Sequence, residues 1–263
     1  MLSCLYTLHI MEKNENENIE QEELDASSDM SFLQHIEELR KRIIISVIGV
    51  IVVCGCVGYF ISDLMHNVFL KPALDSEMKL QNLMPFGQPF LYFKVIFAAG
   101  LILSIPFVLY QFWLFISPAL YKNEKKWVKR LTFFTSLCFF AGVLFSYFVL
   151  VPSMLSFAAS FGTDIIENRI DVNSYFGFIS LILIATGVVF ELPVLSFVLT
   201  KMGIVNSKFL SKYRRHSIVI ILIIAAVLTP TPDPISQLIF AAPIFLLYEL
   251  SILISWLVNK KSK

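Results

Sequence analysis

The stretch SFLQHIEELRKRIIISVIGVIVVCGCVGYFI, residues 31–61, decides the fold. Its second part, Ile43–Ile61, is an uncharged apolar run long enough to cross the hydrocarbon core of a bilayer. In its first part Ser31 and Gln34 have the spacing of a capping box, which predicts a helix start. Phe32, Leu33, Ile36 and Leu39 then recur at helical spacing on one face, while His35, Glu37 and Glu38 occupy the rest. Arg40, Lys41 and Arg42 abut the apolar run. The pattern predicts a short amphipathic helix on the membrane surface, continuous with or hinged to a membrane-crossing helix.

Composition agrees with that choice. Of 263 residues 57% are hydrophobic and only 16% charged, and the mean hydropathy is +0.74. A soluble core of this length does not need so much apolar sequence, whereas a polytopic membrane protein does. The net charge of +1 says nothing about partners, because the charges are sorted by position. Cys4, Cys54, Cys56 and Cys138 form no CxxC pair. They read as small apolar residues rather than as a disulfide or metal site.

Outward from the first run, residues 1–29 hold a short apolar piece and then EKNENENIEQEELDASSD, an acidic extension expected to be disordered. Its acidity excludes an organelle transit peptide, and Met11 and Met30 stand as alternative starts. Downstream, further apolar runs follow at Phe90–Ser117, Leu131–Val151, Phe176–Thr200, Ser217–Thr229 and Ile235–Val258. A kink is expected at Pro106, and Pro152 is expected to end the third run. Ser62–Pro89 reads as a mixed loop and Ser153–Tyr175 as a polar connection. The fold class is therefore all-α integral membrane with six crossings, a membrane domain over residues 30–258 and a basic tail over 259–263.

Orientation follows from the cations. Sixteen Lys and Arg residues fall on the side of Arg40–Arg42, namely those three, five between Lys122 and Arg130, five between Lys201 and Arg215, and three at the C-terminus. The other side holds Lys71, Lys79 and Arg169. Cytoplasmic loops carry the excess of Lys and Arg, so both termini are expected in the cytoplasm. The fifth run is short: its residues, at about 1.5 Å each, reach about 20 Å against a core of about 30 Å. Either its polar flanks are helical too, or the bilayer thins beside it.

Three groups of acids do not suit a bland membrane protein. Glu191 and Glu249 lie inside the fourth and sixth runs, each about 13 Å from the cytoplasmic end. An intramembrane carboxyl is costly unless protonated, paired or facing water, and defaults to a functional reading. For Glu249 a structural hydrogen bond to a neighbouring helix is expected, and for Glu191 a water-lined face. The third group is Glu37, Glu38 and Glu124, with Glu124 set among Lys122, Lys125, Lys126 and Lys129. Ion pairs with those lysines would contribute little. Two carboxylates on separate elements would instead suit two guanidinium groups, each able to form a bidentate pair.

Catalysis has no support: His9, His35, His66 and His216 belong to no HExxH, and there is neither a GxSxG nor a Gly-rich phosphate loop. Nucleic acid has none either, since topology accounts for the basic loops. A secondary transporter that relays protons through Glu191 remains an alternative, weakened by the absence of an internal repeat or a pair of interrupted helices.

SFLQHIEELRKR, SPALYKNEKK at 117–126, FELP at 190–193, LTPTPDPISQ at 228–237 and LYE at 247–249 together resemble the TatC family, the multispanning core of the twin-arginine (Sec-independent) protein translocase. The resemblance covers about residues 30–258 and implies a glove-like six-helix fold with short helices 5 and 6. It implies a non-enzymatic receptor without cofactor or metal, binding twin-arginine signal peptides at the cytoplasmic face. Folded proteins would then be exported by proton-motive force with TatA and TatB as partners, in an oligomeric complex of the bacterial inner membrane.

Position by position, Glu38 and Glu124 match the family's signal-binding carboxylates, and His35, Leu39 and Arg40 match the motif around the first. Glu191 matches the buried Glu of the concave face. Thr229 and Gln237, flanking the outer turn with Pro230 and Asp233, match a polar cluster that meets the TatA or TatB helix. Where many members read TPPD this chain reads TPTPD, with Thr231 added to the outer turn.

Overall fold

The computed structural model describes residues 35–76, 79–120, 125–160, 169–228 and 234–261. Helix α1 covers His35–Tyr59. The chain divides within it into two compact units, Met1–Val47 and Ile48–Lys263. In the first unit the described residues are helical from His35 onward, and Ile36, Leu39 and Ile43 are all exposed. The capping box expected at Ser31 and Gln34 lies outside the described residues.

The second unit continues with α2 (Ile61–Leu64), a π-helical turn (Met65–Phe69), α3 (Lys71–Asp75) and β1 (Lys79–Gln81). Then come α4 (Gly87–Leu120), α5 (Lys125–Phe145), a second π turn (Ser146–Leu150) and α6 (Val151–Ala159). After β2 (Arg169–Asp171) follow α7 (Val172–Val189), α8 (Leu192–Lys201), α9 (Ser207–Lys212), α10 (Arg214–Leu228) and α11 (Pro234–Lys261). Helix assignment runs unbroken through Pro106 in α4.

Helices α4, α5 and α7 pack on one another, and α8 lies along α11. Val95 of α4, Phe139 of α5 and Phe176, Ile179 and Ile182 of α7 are buried at their centre. Glycine permits the close approach: a Cβ on Gly142 would stand 2.9 Å from the Thr186 carbonyl oxygen, and one on Gly187 2.6 Å from the Phe139 ring. Outside this core, large apolar side chains such as Phe93, Phe97, Phe133, Phe148 and Val227 are exposed. Water would not tolerate so much apolar surface, whereas lipid is matched by it.

Two prolines act differently from the sequence expectation or beyond it. Pro152 does not end the third crossing, which continues to Ala159. The π turn at Ser146–Leu150 lies directly before α6, where Pro152 occupies the first turn, a place at which its missing N–H costs nothing. In the fourth crossing Pro193 takes the same place in α8 and cannot donate to the Val189 carbonyl four residues back. The helix breaks at Phe190 and Glu191.

The segments read as connections are partly ordered against each other. β1 and β2 form a parallel pair with Lys79 opposite Arg169 and Gln81 opposite Asp171. Among the described residues the fold is thus mostly helical, with one two-stranded sheet that local patterning did not reveal. Tyr175 of α7 donates its hydroxyl to the Phe69 carbonyl at 2.9 Å, and Tyr147 donates to that of Val68 at 2.9 Å. Phe69 stacks on Phe176 with ring centroids 5.7 Å apart. These contacts fasten the first π turn against α7 and the second π turn.

Among the described residues, five helical stretches are long and apolar enough to cross a membrane: His35–Tyr59, Gly87–Ile116, Val128–Ala159, Val172–Lys201 and Gln237–Asn259. Helix α10, with 15 residues, is about 22 Å long and falls short of that length. Its helix does reach back through the polar flank to Arg214, ahead of the apolar run.

Candidate functional site

The site residues expected from sequence fall into three places. On α1, Glu38 is partly buried and accepts a hydrogen bond from Arg42 Nη2 at 3.2 Å, one helical turn on. His35, Leu39 and Arg40 are exposed beside it. An i, i+4 pair of this kind stabilises a helix by about 0.3–0.5 kcal/mol, so Arg42 holds Glu38 weakly. Glu124, the second carboxylate, lies outside the described residues.

Glu191 occupies the break between α7 and α8. It is 8% exposed, so the structure buries it where the sequence had suggested a water-lined face. The cause is local: the turn imposed by Pro193 folds Glu191 back against α5. Phe190 packs on Phe145 with centroids 5.7 Å apart, and Cys138 lies within electrostatic reach of the carboxylate. Glu191 carries no capping bond. Among the described residues its Oε1 has no hydrogen-bond partner, and neither do the buried Ser146 Oγ and Thr186 Oγ1. Burying such groups unpaired costs about 1–3 kcal/mol each, and the sequence signal for this site was the adjacency of Glu191 to Pro193.

Glu249 does what its sequence reading expected, meeting a neighbouring helix. It accepts from Arg214 Nη2 of α10 at 2.7 Å, with side chains 48% and 31% exposed for Arg214 and Glu249. Sequence reasoning had counted Arg214 only as a topological cation. Close by, the Tyr248 hydroxyl donates to the Leu210 carbonyl at 2.7 Å. Ser196 of α8 donates to the Ser251 carbonyl at 3.1 Å, and Thr200 to the Ser255 hydroxyl at 2.9 Å. Polar bonds therefore join α8, α9 and α10 to α11.

At the other end of that hairpin, Gln237 donates its side-chain amide to the Leu222 carbonyl of α10 at 3.0 Å. Thr229, Pro230, Thr231 and Asp233 lie outside the described residues. The three placements offer weakly held or unpaired carboxylates and hydrogen-bonding groups at helix ends.

Comparison with known proteins identifies the family of the chain. The family model "Sec-independent protein translocase protein (TatC)" matches residues 34–243. The chain is 39% identical to the Sec-independent protein translocase protein TatC of Helicobacter pylori J99, over 87% of this chain and 90% of that protein. It is 39% identical to the TatC of Koribacter versatilis, over 91% and 90%. A solved structure described as "Crystal Structure of Twin Arginine Translocase Receptor- TatC" superposes with a TM-score of 0.76 at 36% identity, covering 86% of this chain and 99% of that one. None of this supports the solute-transporter alternative. The chain is a multi-pass integral membrane protein that belongs to the TatC family of Sec-independent protein translocase subunits.

Proposed function

We propose that the chain is the receptor subunit of a twin-arginine translocase, holding the paired arginines of a signal peptide between Glu38 and Glu124. The observation that carries the reading is the likeness, over 86% of the chain, to a solved protein described as a twin-arginine translocase receptor. Glu38 supplies the chemistry. It already accepts from a guanidinium, that of Arg42, and a partly exposed i, i+4 pair of this kind is exchanged for an incoming one at little cost. Charge-assisted bidentate bonds then favour arginine over lysine. His35, Leu39 and Arg40 shape the surface around Glu38.

In this reading six helices cross the bacterial inner membrane with both termini cytoplasmic, in the family's glove-like arrangement. The short α10 is accommodated by local thinning of the bilayer. Glu191, at the helix break, holds a partner helix. Thr229 and Gln237, beside the outer turn of Pro230 and Asp233, dock single-span TatA and TatB proteins. Export of folded precursors is driven by the proton-motive force.

The test is site-specific crosslinking of a twin-arginine precursor to membranes containing the protein. Replacing both Glu38 and Glu124 by Gln abolishes the crosslink while insertion is retained. Undiminished crosslinking would overturn the assignment.

A further inference from the structure

Helix α9, the first turn of α10 and the second half of α11 line an open cavity of about 590 Å³. Lys208, Lys212 and Arg214 line it, against one carboxylate, Glu249. Two positive charges are therefore in excess. The Ser207 and Ser211 hydroxyls add neutral donors. Arg214 is held in place by its bond to Glu249 at 2.7 Å, yet a guanidinium carries further N–H donors that one such bond does not exhaust. Lys212 Nζ stands 6.0 Å from the Tyr213 ring centroid.

The opposite wall is apolar: Ile252, Leu253 and Trp256 of α11. Leu253 and Trp256 are 52% and 50% exposed, so this wall faces outward. On α10 the cavity marks the passage from charged to apolar sequence, and on α11 it covers the last turns of the apolar course before that passage. Helix α10 turns apolar after Arg214, Arg215 and His216, and α11 ends its apolar course at Val258 before Lys260 and Lys261. Such a level is where the headgroups of a bilayer lie and where tryptophan is enriched.

We infer that this cavity is a binding site for an anionic phospholipid. The phosphate sits among Lys208, Lys212 and Arg214, and the glycerol and first acyl methylenes lie against Ile252, Leu253 and Trp256. Topology accounts for how many cations stand at this end of the helices. It does not gather three of them and two hydroxyls around a concavity with an apolar, outward-facing wall. Basic pockets between membrane helices select lipid headgroups by this combination. A free phosphate shares the headgroup chemistry but gains nothing from the apolar wall. The inference goes beyond the receptor reading and does not depend on it, since none of these residues contacts a signal peptide in that reading.

Native mass spectrometry of the full chain in detergent provides the test, with phosphatidylglycerol, phosphatidylcholine and inorganic phosphate titrated separately. Phosphatidylglycerol is retained about tenfold more strongly than phosphatidylcholine, and inorganic phosphate is not retained. The double substitution Lys208→Gln with Lys212→Gln lowers phosphatidylglycerol retention about tenfold, whereas Lys71→Gln, far along the sequence and outside the cavity, leaves it unchanged. Should the double variant not fold, brominated phosphatidylglycerol gives a second reading. It quenches tryptophan fluorescence in the parent chain, and Trp256→Phe removes most of that quenching. Equal retention of the two lipids, retention of phosphate alone, indifference to the lysine substitutions in a folded variant, or quenching that survives Trp256→Phe each overturns the site. Loss of precursor crosslinking with lipid retention intact would leave this site standing and bear on the receptor reading alone.

Discussion

Arg214 and Glu249 meet at 2.7 Å and tie the first turn of α10 to a point on α11 well short of its last residue, Lys261. The remaining stretch of α11 is about 18 Å long, and α8 and α9 cover it instead. Both partners are partly exposed, so screening limits the worth of the pair. Glu249→Gln is expected to cost no more than about 1 kcal/mol, read as a small fall in melting temperature of the detergent-solubilised protein. Precursor crosslinking stays at the parent level. A loss of crosslinking would give Glu249 a part in recognition that the ion pair does not suggest.

The α5–α7 seam separates two glycines that sequence alone treats alike. At Gly142 a Cβ would meet the Thr186 carbonyl oxygen at 2.9 Å, and backbone cannot move aside. At Gly177 nothing lies within 4 Å. Gly142→Ala is therefore expected to destabilise by about 1–3 kcal/mol through overpacking. Gly177→Ala is expected to be neutral or to stabilise by up to about 1 kcal/mol through helix propensity. Thermal unfolding of the two variants side by side checks the contrast.

Asp171 closes β2 and caps α7, accepting from the Ser174 N–H and hydroxyl at 3.0 Å each and from the Leu83 N–H at 3.4 Å. Desolvation pushes its carboxyl up, but these bonds and one from the Asn173 N–H together outweigh it and hold the group below the usual carboxylate range. A depressed folded-state value means stability that is present above the unfolded value and lost as pH falls through the folded one. The melting temperature of the parent chain is thus expected to fall with acidification in that window. Asp171→Asn lowers the melting temperature at neutral pH and flattens this dependence. An unchanged acid slope in the variant would assign it to other carboxylates.

Much of this was legible because membrane crossing is a local property. An uncharged run such as Ile43–Ile61 announces itself residue by residue, and the cations around Lys126 or Arg215 need only be counted. Relations between distant positions were not legible. The pairing of Lys79 with Arg169 and of Arg214 with Glu249 joins segments whose own periodicity says nothing of each other. Proline misled in a more instructive way. Pro152 reads as a terminator, but a π turn ahead of it absorbs the register change, while Pro193, to which no expectation was attached, breaks its helix. The break is what distinguishes Glu191 from Glu249: two carboxyls placed at equal depth by counting residues end up buried in one case and ion-paired in the other.

That difference yields the sharpest expectation. Glu191 is buried at a helix break with Oε1 unpartnered among the described residues, so fold stability does not explain its presence. Removing such a group relieves a desolvation cost, in contrast to Glu249, whose removal leaves a partner behind. Glu191→Leu is expected to leave the melting temperature unchanged or to raise stability by about 1 kcal/mol, while export of a twin-arginine precursor by membranes carrying the variant falls sharply. Glu191→Gln, which keeps the hydrogen-bonding shape without the charge, separates two uses of the side chain. Export restored by Gln points to hydrogen bonding with a partner helix, and export lost with Gln as with Leu points to a requirement for the carboxyl itself. A variant that both unfolds more easily and stops exporting would return Glu191 to a purely structural role.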